Sequence, residues 1–116
     1  MGDRVSFLKK VFQIELEEAE DDVLGLIDYY SRRFDSHEIT HYVWLENQAL
    51  LRKELSCVKE LENDLRLWAP PEGLAAEKVL DEMTSYLKSL VKKRGYPELV
   101  ILVIDRISGK LIRYLE

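Results

Sequence analysis

Apolar residues fall at steps of three and four along the first third of the chain: Leu8, Phe12, Leu16, Ala19, Val23, Ile27, Tyr30 and Phe34. That spacing keeps one face of a 3.6-residue-per-turn helix apolar and predicts a long amphipathic helix over about residues 5–33. Asp35 can cap a following helix with Glu38 three residues on, so Asp35-Ser36-His37-Glu38 reads as a capping-box variant opening a second helix near residue 36. This helix is expected to reach about Trp68, where Ala69-Pro70-Pro71 stops it, because proline pushes the residue before it out of the helical region. Its apolar residues form two adjacent stripes, one of Ile39, Val43, Leu50, Cys57, Leu61 and Trp68, the other of Trp44, Leu51, Leu55 and Val58. An arc that wide needs two neighbours. A third helix over about residues 74–94, apolar at Ala76, Val79, Leu80, Met83, Leu87, Leu90 and Val91, ends at Gly95 and supplies one of them.

The tail changes character. Leu99-Val-Ile-Leu-Val-Ile104 and Lys110-Leu-Ile-Arg-Tyr-Leu115 are β-branched or apolar runs around Ser108-Gly109, which reads as a β-hairpin over about residues 98–115. Val100, Leu102 and Ile104 would share one face of its first strand, with Leu111 and Tyr114 on the returning strand. A lone hairpin leaves its edge hydrogen-bonding groups open, and a second copy of the chain is the simplest source of a pairing strand. The expected fold is therefore mainly α: an antiparallel three-helix bundle of long helices, the second one central, followed by a C-terminal β-hairpin, in one domain over residues 1–116.

Composition sets bounds on this picture. An apolar content of 47% with 34% charged residues, five Gly and three Pro fits a well-ordered helical protein rather than a disordered one. One cysteine, Cys57, cannot form an intramolecular disulfide, and no leading segment has the apolar core of a secretion signal, so a reducing, cytoplasmic setting is expected. The longest apolar run, Leu99 to Ile104, is far short of the roughly 18 residues that would span a bilayer. The net charge of −5 is unevenly spread: Glu15 to Asp28 holds seven acids and no base, whereas Lys88 to Arg113 holds seven bases and two acids. The acidic run reads as a solvated helix face, and Lys92-Lys93-Arg94 as cations offsetting a helix dipole. The same basic cluster, joined by Arg106, Lys110 and Arg113, is the one candidate for an anionic ligand or nucleic acid, which the overall negative charge disfavours.

One string carries a reaction in its pattern. His37-Glu38-Ile39-Thr40-His41 matches H-E-x-x-H, in which two histidines one helical turn apart bind zinc and the glutamate activates the metal-bound water. That reading needs a third protein ligand, and Glu60 and Glu62, at suitable sequence distance, would lie about 30 Å away along the same helix. The plainer reading makes Glu38 a capping residue and the histidines surface groups. Cys57 falls in the apolar stripe as a small core residue. Asn47 and Glu54, a heptad apart inside the apolar arc, are the polar positions expected to set register or partner choice at an interface.

Two local strings have parallels elsewhere. Val103-Ile-Asp-Arg-Ile-Ser-Gly-Lys-Leu-Ile-Arg113 is similar to the closing hairpin of flagellar accessory proteins of the FlaG type, though the Ile-Pro and helix that follow there are missing here. Ser36-His37-Glu38 resembles the start of the phosphoacceptor box of histidine kinases, but Thr40, His41 and Tyr42 stand where that box has a basic residue, threonine and proline. The sequence therefore leads to a non-enzymatic protein that works by homodimerisation and by binding another protein, without a cofactor. Its interface candidates are Asn47, Glu54, Val100, Leu102, Ile104, Leu111 and Tyr114. A zinc hydrolase built on His37, Glu38 and His41, and a nucleic-acid factor using Lys92, Lys93 and Arg94, are the alternatives.

Overall fold

Two helical hairpins of unequal length make up the computed structural model, which describes residues 2–115, with side chains from Arg4 to Leu115; Met1 and Glu116, the ends of the expected domain, lie outside the described residues. Helix α1 spans Gly2–Asp35 (34 residues) and α2 His41–Leu67 (27 residues). Helix α3 spans Ala76–Arg94 (19 residues) and α4 Glu98–Leu115 (18 residues). Among the described residues there is no strand. The expected three-helix bundle with a β-hairpin is thus replaced by four helices, the fourth occupying the whole of the expected hairpin.

The reason lies in an ambiguity of short apolar runs, which suit a covered strand and a buried helix equally. Val100, Val103, Ile104, Ile107 and Leu111 recur at helical spacing and are buried, so a helix draws one apolar set from across the expected hairpin onto a single covered face, leaving Leu99 and Leu102 outside it. Gly109, taken as a turn residue, sits in that helix on its exposed side, where its cost is modest. Gly95 does act as a stop. At φ 67° it occupies the left-handed C′ position of α3, with Tyr96 N donating to Val91 O and Gly95 N to Lys92 O, a Schellman motif that turns the chain into α4 within three residues.

The core joins all four helices, through residues such as Phe12 and Leu16 of α1, Val58 and Leu61 of α2, Met83 and Leu87 of α3, and Ile104 and Leu111 of α4. Cys57 belongs to it, and burial pushes its thiol pKa up, so it is a packing group rather than a thiolate. Lys9 ties the ends of the long hairpin together, its Nζ donating to Arg66 O at 2.8 Å and Trp68 O at 2.7 Å, where a cation also meets the negative end of α2. At 1.5 Å per residue α1 is about 51 Å long and α3 about 28 Å, so the short hairpin covers one half of the long one. The other half projects, giving overall extents of 56 × 27 × 20 Å.

Phe12 is fully buried at the centre of the covered half, whereas Leu67, on the far side of α2, is 85% exposed. Phe12→Ala is expected to cost about 3–5 kcal/mol in denaturant unfolding. Leu67→Ala should stay within about 0.5 kcal/mol of the parent.

Candidate functional site

The H-E-x-x-H string does not lie on a helix. It spans the end of α1, the turn and the start of α2. Helix α1 continues through Asp35, so Asp35 is not an N-cap, and Thr40 caps α2 by accepting from Val43 N at 3.2 Å. His37 has φ 62°, with His37 N donating to Phe34 O and Glu38 N to Arg33 O. This is the Schellman pattern again, with histidine at the position that Gly95 fills in the other hairpin. The shared helix face that the zinc reading requires is therefore absent. Glu38 is not a capping residue; its carboxylate stands 3.9 Å from Arg33. His41, the first residue of α2, stacks with Phe34 and Trp44 at centroid distances of 5.5 and 5.8 Å. Among the described residues no three His, Cys, Asp or Glu side chains converge as a metal site would require.

Below this aromatic cap the seam of the projecting half is polar. Trp44 Nε1 donates to Ser31 Oγ at 3.3 Å, and the buried Gln48 donates from Nε2 to Ile27 O and Ser31 Oγ, both at 3.3 Å. Asn47 is half-buried and donates to Val43 O within its own helix, while Glu54 is buried where the projecting half meets the first turns of α4. A groove of about 410 Å³ opens there, walled by Leu26, Leu51, Leu99 and Leu102, with Glu54 and Arg106 at its edge. Burial raises the pKa of Glu54, and Arg106 partly offsets the shift.

The remaining interface candidates separate. Val100, Ile104 and Leu111 are fully buried within the chain's own core, while Leu102 and Tyr114 are exposed. Leu26, Leu50 and Leu99, also exposed, belong with Leu102 and were not singled out from the sequence. Their signal was available in the helix lengths, since α1 and α2 outrun any cover that a shorter partner can give.

The basic end is largely consumed by neighbours. Arg94 makes a bidentate pair with Asp64, Lys110 pairs with Glu15 at 2.8 Å, and Lys88 pairs with Asp105. Lys92 and Lys93 remain as exposed cations in the last turn of α3. Across the α1–α2 seam Lys59 lies 3.5 Å from Glu20, and beside them Glu62 is raised to about 7 by burial and by the Glu20 and Glu17 carboxylates, Glu20 sharing a hydrogen bond with it. No helix among the described residues is long and apolar enough to cross a membrane. No family model, curated protein or solved structure matches the chain.

Two measurements probe these local features. Left-handed backbone costs a non-glycine residue about 1 kcal/mol, so His37→Gly should stabilise the protein by about 0.5–1 kcal/mol in denaturant unfolding. Glu62 is shifted from its ordinary value of 4.5 to about 7, so folding takes up a proton in that window and this group opposes folding increasingly as pH rises through it. Glu62→Gln should therefore raise Tm by a few degrees at pH 8 and leave it nearly unchanged at pH 4.5.

Proposed function

We propose that this chain is a helical self-association and protein-binding module rather than an enzyme. The observation that carries the reading is the projecting half of the α1–α2 hairpin: large apolar side chains, among them Leu26, Leu50, Leu99 and Leu102, stay exposed along and beside a helix pair that the rest of the chain does not cover. A contiguous apolar surface of this kind on a small protein marks an interaction site. The expected route through a β edge is withdrawn with the hairpin itself, and helix faces take its place. The zinc-hydrolase alternative lacks support from the tip, where His37 sits in a turn and His41 is stacked on Trp44. The nucleic-acid alternative is weakened by the carboxylates that hold Arg94 and Lys110. The single, buried thiol of Cys57 suits a reducing compartment such as the cytoplasm.

Self-association makes stability depend on concentration, because assembly removes folded monomer from the unfolding equilibrium. The Tm of the full chain is expected to climb with protein concentration through the micromolar range. A concentration-independent Tm together with a monomer mass by light scattering would refute self-association.

A further inference from the structure

The hairpin face that carries α3 and α4 continues bare beyond the start of α4. Two stripes run along it at spacings of four, three and four residues: Asp22, Leu26, Tyr29 and Arg33 on α1, and Val43, Asn47, Leu50 and Glu54 on α2. Such spacing keeps each set on one side of its helix. The two helices run antiparallel, so the stripes share a polarity. Both have an acid at the α4 end, Asp22 and Glu54, and the Arg33 end lies at the tip. Glu98 in the first turn of α4 adds a third acid at the step. The apolar residues lie between, with Leu50 61% exposed and Leu102 of the adjoining groove 62% exposed.

We infer that a second copy of this chain docks on this face, bare hairpin against bare hairpin, antiparallel about a two-fold axis near Tyr29 and Asn47. The inference rests on the self-association reading above and specifies its surface. Charge complementarity selects the occupant. A two-fold that reverses the hairpins brings Arg33 of each copy to the acidic step of the other, whereas a parallel pairing would set like charges together. The acids are free to respond. Asp22 has no ion pair among the described residues, and Glu54, 7% exposed, has neither hydrogen bond nor ion pair there, although Arg106 lines the same groove and offsets part of the acidic charge. Arg33 is held loosely, by Glu38 at 3.9 Å, by a hydrogen bond from its Nη1 to Tyr29 Oη at 3.4 Å and by the Tyr29 ring at 5.6 Å, all at the exposed tip. Size limits the strength of the pairing. The bare stretch offers roughly 12 residues of each helix, a footprint of about 18 by 20 Å. With the groove beside α4 receiving the partner's tip, the face is at the small end of specific interfaces, which fits a weak, reversible dimer.

Sedimentation velocity on the full chain tests this with four proteins: wild type, Leu102→Glu, Arg33→Glu and Leu67→Glu, the last placed on the far side of α2. Wild type and Leu67→Glu should sediment as dimers. Leu102→Glu should be a monomer with unchanged helical circular dichroism, and Arg33→Glu should weaken association by about tenfold or more. Leu50→Glu serves in the same role if Leu102→Glu loses helicity. Tyr29→Cys, near the axis, should form a disulfide-linked dimer on mild oxidation, which Leu67→Cys should not. A wild-type dimer that both face variants leave intact would keep self-association and overturn this surface. A wild-type monomer would overturn both and leave the face to a partner of different sequence.

Discussion

The mismatch in length between the two hairpins governs the rest of the molecule. A helix buries its apolar stripe only where a neighbour runs beside it, and α3 and α4, at 19 and 18 residues, run beside little more than half of the 34-residue α1. Within the covered half the side chains of Leu8, Phe12 and Leu16 reach full burial, as do Val58, Leu61 and Leu65 opposite them. Beyond it the same two helices meet only each other. Each contributes a narrow line of contact, and the flanking apolar residues face solvent. On the hairpin face that α3 and α4 cover, the division between a stabilising core and an available surface follows from this one geometric fact.

Electrostatics follows the same division. The acidic run on α1 is not simply solvated, since Glu15 receives Lys110 of α4 and Glu20 receives Lys59 of α2. Exposed pairs of this kind add little stability individually, but opposite charges along a seam favour one docking orientation over its reverse. The acidic α1 and the basic tail, opposite ends of the chain by sequence, are brought together as the α1–α4 contact. Asp22 and Glu98 at the step are among the charges that no ion pair takes up within the described residues.

Much of the helical half of this fold is legible in the chain. Three amphipathic stretches, the Pro70-Pro71 stop and the Gly95 terminator appear as periodicity and breakers, because each is a local effect. Two features escape such reasoning. The run Leu99–Ile104 is apolar at every position, so it carries no period, and β-branching tilted the expectation toward strands; tertiary cover on one face only decided for a helix. At the tip, Asp35 and Thr40 are both acceptable caps, and the choice depended on α1 carrying its packing through Phe34 onto Trp44 at a centroid distance of 5.0 Å. The chemistry suggested by His37, Glu38 and His41 dissolved with that choice, since its force came entirely from a shared helix. Asn47 and Glu54, chosen for polarity inside an apolar arc, do fall on the projecting half or its edge. Val100, Ile104 and Leu111 were chosen on strand alternation and became core residues when the period changed from two to 3.6.

The polar seam of the projecting half bears on how such a surface can be used. In the covered half the α1–α2 contact is made by leucine, phenylalanine and valine, which would be costly to expose. Toward the tip it is made by Ser31, Trp44 and Gln48, whose hydrogen bonds are satisfied within the hairpin. A two-helix arm whose seam donors find acceptors within the hairpin can stand in water without partner contacts. The Schellman turn at His37 and the Thr40 cap fix the two helices to one another at the far end, so the arm is presented as a rigid pair. An arm built in this way loses little conformational entropy when it docks, and the folded chain does not require docking to exist. These properties suit reversible association better than an obligate interface, whose seam would resemble a core cut in half.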